Sequence, residues 1–313
     1  MVNFRFHLMS LVAVFLSLAI GVSLGSGFVG EAITRNLDEE IDAVREQNGL
    51  VRQENLELRD QLEAADVFAQ SVRGWMIDGA LQGEDVVFVR FDHTDGVLTD
   101  AAGAALEQAG AEIAVTLTVN DKLALSAPED AEELARVVGT AATELPAIRG
   151  AMAGRLGSFM AQAAAQPAAI TEFGPRERAS DFALALQEAG FLSVDADPAG
   201  TMVPADAMFV ILGGGSAPPG FNAWRFATQL SHALLDGGST VAVAERSASA
   251  WNLVTRLRED DDVSGSIVTV DHAESTAGQI ALVLGLVRAE QGIAGHYGRQ
   301  EGASGPLPEA SLD

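Results

Sequence analysis

EDVVFVRFDHTDGVLTDAAGAALEQAGAEIAVTLTV, residues 84–119, decides the fold class. Its first eight residues form an unbroken apolar run apart from the ends and Arg90, as expected of a strand buried on both faces. A helix follows near 97–109 and stops at Gly110, where a glycine accepts the left-handed conformation of a helix C-cap. EIAVTLTV (112–119) is the next strand. Strand, helix and strand in about 35 residues make one βαβ unit, and that unit implies parallel pairing.

The pattern repeats outward from this unit. Residues 129–142 and 147–165 read as helices separated by Pro146. A helix near 176–189 ends at Gly190, and FLSVD (191–195) is a short strand. AMFVIL (207–212), TVAVAE (240–245) and SIVTV (266–270) are further strands, alternating with helices near 221–236, 249–258 and 276–290. The expected architecture over 83–292 is an α/β, mainly parallel-sheet, Rossmann-like domain. ALEQAG (105–110) and ALQEAG (185–190) echo one another as two glycine-capped helix ends, too short a match to establish a duplication. From 293 to 313 Gly, Ser, Pro and Glu dominate, and a flexible tail is expected.

Upstream the pattern is different. Phe6 to Gly30 contains no Asp, Glu, Lys or Arg, and the stretch from Leu8 to Val29 exceeds the roughly 20 residues needed to cross about 30 Å of hydrocarbon. Arg5 and the amino terminus precede it, while Glu31, Asp38, Glu39 and Glu40 follow. That asymmetry puts residues 1–30 as a cytoplasmic N-terminus plus transmembrane helix, with the bulk of the chain extracytoplasmic. A cleaved signal peptide, with Ser23 and Gly25 at the −3 and −1 positions, is the rival; the apolar run is long for one. Gly21 and Gly25 form a GxxxG stripe on which two membrane helices can approach, though glycine is also common in such helices generally.

Residues 31–70 carry a heptad seam: Ile41, Asn48, Asn55 and Leu62 at a, with Leu37, Val44, Val51, Leu58 and Ala65 at d. The run from Leu37 to Ala65 is about 43 Å long as a helix. Asn at an a position sacrifices stability for register, because the matching Asn of a parallel partner satisfies it. A coiled-coil stalk in a parallel homodimer is therefore expected, against the alternative of one amphipathic helix lying on its own domain.

The net charge is −25, with 44 acidic residues against 19 basic ones, which argues against a nucleic-acid partner. Cysteine is absent, removing disulfides, thiolate metal sites and Cys nucleophiles. GGGS (213–216) sits between a strand and a helix, yet it lacks the Lys-Ser/Thr of a phosphate loop, and Pro218 occupies the third glycine position of a dinucleotide fingerprint. FDHTDG (91–96) and VDHAES (270–275) each place a histidine among carboxylates just after a strand. His93 and His272 are thus the metal candidates, set against the plainer reading of both segments as helix caps. No GxSxG or HExxH motif is present, so no enzyme, no catalytic residue and no resident cofactor are expected.

FRFHLMSLVAVFLSLAIGVSLGSGF (4–28), GALQGEDVVFVR (79–90), VDHAESTAGQI (270–280) and GHYG (295–298) together resemble the actinobacterial MctB family, the mycobacterial copper-transport protein B. The likeness covers nearly the whole chain. It implies an outer-membrane or other cell-envelope protein in copper efflux and copper homeostasis, with copper as a transported ion. The residues bring two tensions to that expectation. Met152, Met160, Met202 and Met208 show no MxxM-type spacing for copper(I). Short apolar strands separated by helices are also not the alternating segments of a membrane β-barrel. The architecture points to another class as well: a membrane-anchored dimeric scaffold or regulator of envelope assembly or division, holding an envelope protein partner.

Overall fold

A computed structural model describes residues 3–166, 174–196 and 202–309, with no side-chain placement at 3, 26–40, 42 and 43. The chain divides into two compact units, Met1–Ala65 and Asp66–Asp313. Helix α1 spans Asn3–Ile77.

In the first unit the described side chains of α1 are exposed all round. Phe4–Gly25 has a mean hydropathy of 2.3 and is one segment long and apolar enough to cross a membrane. A helix apolar on every face has no polar side to give to water, and a bilayer is the solvent that suits it. Further along, Ile41, Val44, Val51, Leu58 and Leu62 are all between 44% and 58% exposed. Asn48 and Asn55 donate their side-chain amides to the carbonyls of Val44 and Val51, one turn back, at 2.9 and 2.8 Å. The seam position Leu37 lies outside the residues whose side chains are described.

The second unit is a three-layer α/β domain. Its elements after α1 are β1 (Asp85–Phe91), α2 (Gly96–Gln108), β2 (Glu112–Val119), a 3-10 turn (Asp121–Ala124), α3 (Pro128–Val138), α4 (Leu145–Ala164), α5 (Pro175–Glu188), β3 (Leu192–Ala196), β4 (Met208–Gly213), α6 (Ala223–Asp236), β5 (Val241–Glu245), α7 (Leu253–Arg258), β6 (Val268–Asp271), α8 (Thr276–Glu290) and β7 (Gly295–Tyr297). The sheet order is β3-β2-β1-β4-β5-β6-β7, and every neighbouring pair is parallel except β2 with β3. Strand order reverses between β1 and β4, which makes their carboxyl ends the topological switch point.

The pleat sorts β1 between two cores. Val87, Val89 and Phe91 face one layer, where Phe91 meets Phe221, Phe226 and Trp251 at centroid distances of 6.0, 6.0 and 5.6 Å. Val86 and Phe88 face the other, against Leu98, Ala102, Ile280 and Leu286. Each face is covered by helices, so the apolar runs of the strands are buried on both sides, as parallel sheets require.

In the folded chain one sequence expectation is refined and two change. The two echoed segments share a cap but not a direction. Gly110 and Gly190 both adopt positive φ, 89° and 76°, and in each case the following amide bonds back to a leucine carbonyl, Leu106 or Leu186. One cap feeds a parallel strand and the other an antiparallel one, because the cap governs only the local exit. The helix expected near 249–258 shrinks to Leu253–Arg258, since Ala248 and Asn252 take left-handed φ of 53° and break the turn. The segment expected to be a flexible tail carries β7, which pairs with β6 through Val268↔Gly295 to Val270↔Tyr297. Tyr297 is 4% exposed, so residues 295–300 are part of the domain.

Candidate functional site

Open α/β sheets place their sites outside the carboxyl ends of the strands, so the loops after β1, β4, β5 and β6 are where function is sought. At the switch point the crevice is closed by its own backbone. Asp95 caps α2 by accepting from Val97 N at 2.9 Å, and its other oxygen pairs with Arg246 Nη1 at 2.7 Å. Thr94 Oγ1 donates to Leu212 O at 3.2 Å and accepts from Phe91 N at 3.1 Å. Gly215 exists for contact: a Cβ there would stand 2.3 Å from the His93 carbonyl oxygen. GGGS therefore packs Gly215 against the β1 loop.

His93 is held from the side. Its Nε2 meets Asp121 Oδ2 at 2.5 Å, and Asp121 N donates to Asp92 Oδ2 at 2.8 Å. His272 sits at the other end of the same sheet edge, at a left-handed φ of 55°. Three strand spacings separate the ends of β1 and β6, about 14 Å at the usual strand-to-strand distance. The fold brings the two histidines to one edge but not to one site.

The most developed polar cluster lies beyond β5, β6 and β7, around Asp271. This carboxylate is fully buried and accepts from Arg258 Nη1 at 2.9 Å, His272 Nδ1 at 2.6 Å, Arg299 N at 2.7 Å and Gln300 N at 3.1 Å. Burial works to raise its pKa, but the donated hydrogen bonds together outweigh burial and hold it below the usual carboxylate value. Arg258, whose side chain is 2% exposed, also donates to Tyr297 O at 2.8 Å and Thr269 Oγ1 at 2.9 Å. Its pKa is lowered by burial, with the Asp271 bond acting against the shift. Glu245, also fully buried, pairs in register with Asp271 and accepts from Val254 N at 2.8 Å. Burial pushes its pKa up, and the Asp271 charge adds to the push.

His272 leaves this cluster for solvent. With Nδ1 fixed by a buried carboxylate and a side chain 30% exposed, its Nε2 is oriented the way a single imidazole ligand or proton acceptor is oriented. Met152 and Met160 are buried in the core on one face of the sheet and Met208 in the core on the other. Among the described residues no group of three or more His, Cys, Asp or Glu side chains converges to hold a metal.

Asp271 and His272 lie at the start of one of the sequence blocks quoted above, VDHAESTAGQI, and Gly298 closes another, GHYG. The fold joins them: a Cβ on Gly298, at φ 130°, would lie 2.2 Å from the Asp271 carboxylate. The same block holds the last turns of α1, with Thr276 Oγ1 donating to Asp66 Oδ1 at 2.9 Å and Arg73 Nη1 to Gln279 Oε1 at 2.5 Å.

Residues 1–308 match the family described as copper transport outer membrane protein, MctB. The chain belongs to the MctB family. Proteins named copper transporter MctB from Mycobacterium tuberculosis and Mycobacterium bovis are each 32% identical over 317 residues, spanning 97% of this chain and 98% of theirs. The one from Mycobacterium leprae is 30% identical over 320 residues, with the same coverage. Since the match to MctB runs from the apolar helix through β7, it takes in both units and the Asp271 cluster. Sequence reading picked out His272 but missed Asp271, Arg258 and Glu245 as a unit. The signal for it was the pair of blocks shared with the family, which are separated in sequence and adjacent in space.

Proposed function

We propose that the chain serves copper efflux and copper homeostasis at the cell envelope, as its family membership over residues 1–308 supports. Copper is cargo in this reading. The donor set argues that the isolated domain is not its carrier: a transport-grade copper(I) site needs two or three soft ligands within bonding distance, and among the described residues Met152, Met160 and Met208 are taken up in the two cores. The work then falls to an envelope partner or to the assembled protein. The globular domain is read as Rossmann-like and extracytoplasmic, with Phe4–Gly25 as an uncleaved anchor whose N-terminus is cytoplasmic; whether that membrane is the inner or the outer one decides the route. Deleting the gene is expected to raise cellular copper and lower copper tolerance, with the intact chain restoring both. Unchanged copper content would remove the reading. In the same preparation, the purified chain is expected not to compete with a colorimetric copper(I) chelator. Near-stoichiometric competition abolished by His272→Ala would reassign the domain as a direct copper carrier.

A second reading, a membrane-anchored dimeric scaffold or regulator without enzymatic activity, is favoured by the exposed seam at Ile41, Val44, Val51, Leu58 and Leu62. In a parallel coiled coil these side chains leave water, and Asn48 and Asn55 each exchange an intrahelical bond for one to the same asparagine of the second copy. Asn48→Val with Asn55→Val is expected to raise thermal stability while admitting oligomers beyond the dimer, read by sedimentation in detergent. A wild-type chain that sediments as a monomer at tens of micromolar removes the coiled coil.

A further inference from the structure

In a chain of net charge −25, one cavity gathers positive charge. Helices α4 and α6 lie side by side and run in the same direction, with Gly157 against Leu230 and Ala161 against Gly237. Their N-terminal turns therefore open together on a cavity of about 760 Å³. Parallel helix starts add their positive dipole ends. Neither first turn carries an acidic residue, whereas those of α3 and α5 hold Glu129, Asp130 and Glu177.

Two guanidiniums line the same space. Arg149 donates to the carbonyls of Leu123 and Ala124 at 2.7 and 2.5 Å, and Arg225 lies over the Trp224 ring at 5.2 Å. Among the described residues neither has a carboxylate within ion-pair distance. Burial lowers the Arg149 pKa, the response of a cation held from water without a counter-ion. Two acids are near: Asp260 lines the cavity, and Glu144 precedes α4 without making a side-chain cap.

Two further features point to an occupant. Thr228 is 7% exposed and lines the cavity, and its hydroxyl has no hydrogen-bond partner. Gly150 also lines it, and a Cβ there would meet nothing within 4 Å. A mid-helix glycine costs about 1 kcal/mol relative to Ala, so this one keeps space open without being required by packing. The volume falls in the range of about 300–1,000 Å³ usual for small-molecule sites.

We propose that this cavity binds a small organic anion, its carboxylate or phosphate between Arg149, Arg225 and the two helix starts, and its apolar body against Pro146 and Trp224. The site is independent of the copper reading. Titrating the full chain in detergent by calorimetry with phenyl phosphate, benzoate, inorganic phosphate and phenol tests it. One saturable site for phenyl phosphate or benzoate is expected, with the inorganic ion and phenol each about tenfold weaker or more. Arg225→Gln, at an exposed position, should weaken binding about tenfold without changing the melting temperature, since an ion-paired contact of this kind is worth roughly 1.5 kcal/mol. Gly150→Leu should crowd the cavity and weaken binding about tenfold. No saturable heat with any probe, inorganic phosphate binding as tightly as phenyl phosphate, or affinity unchanged in Arg225→Gln would each overturn the assignment.

Discussion

Asp271→Asn is expected to destabilise the globular unit by about 3–5 kcal/mol, the usual result of removing one partner from a buried ion pair. The cause is the charge left behind. Arg258 is 2% exposed and retains only neutral acceptors once the carboxylate is gone. The amides of Arg299 and Gln300 lose a charged acceptor at the same time. Replacing both members, Arg258→Met with Asp271→Leu, should recover part of the loss and not all of it, because those two amides stay unsatisfied.

The pH dependence has a definite sign. Asp271 has a folded pKa below its unfolded value, so its contribution is present above the unfolded carboxylate range and disappears as pH falls through the folded value. Glu245 is the reverse: its pKa is raised, so its contribution is complete below the unfolded value and fades as pH rises through the folded one. Chemical denaturation across acid pH should show a falling limb in the wild type that Asp271→Asn flattens. A stability within about 0.5 kcal/mol of wild type, the scale of ordinary surface substitutions, would mean the cluster is not a buried ion pair in solution.

Deleting residues 295–313 is expected to be as damaging, on the order of 5 kcal/mol or outright failure to fold cooperatively. A flexible tail could be removed with no effect. This segment instead supplies strand β7, the buried Tyr297 ring, the carbonyl of Tyr297 to Arg258, and two amides to Asp271. Gly298→Ala is the milder probe, since its methyl would enter the space of the Asp271 carboxylate at a φ of 130°. It should lose less than the deletion and more than a surface change. A truncated chain with the wild-type midpoint would restore the tail as dispensable.

The strands at 84–91, 112–119, 207–212, 240–245 and 266–270 were readable because a strand buried on both faces needs an unbroken apolar run, and that demand is met within eight residues. Gly110 and Gly190 announced helix ends for a local reason too, the low cost of positive φ without a Cβ. The apolar helix was readable because the bilayer imposes one length and one composition, and the family likeness followed from blocks of contiguous residues.

What lay outside the sequence's reach depends on contacts between distant positions. Glycine-rich GGGS has the local look of an anion loop, and only the approach of the His93 carbonyl shows why Gly215 has no side chain. The polar composition of 293–309 reads as solvent-facing, because a local window cannot show that Arg258 and Asp271 are waiting for its backbone groups. The spacing of His93 and His272 allowed them to meet, until the order of strands put β4 and β5 between them. Local chemistry set which elements form and how each one ends. Tertiary packing decided which strand lies beside which, the reversed direction of β3, and the pairing of a buried carboxylate with a segment 28 residues further along the chain, because those choices depend on burying charge and apolar surface together and no short stretch contains both sides of that contact.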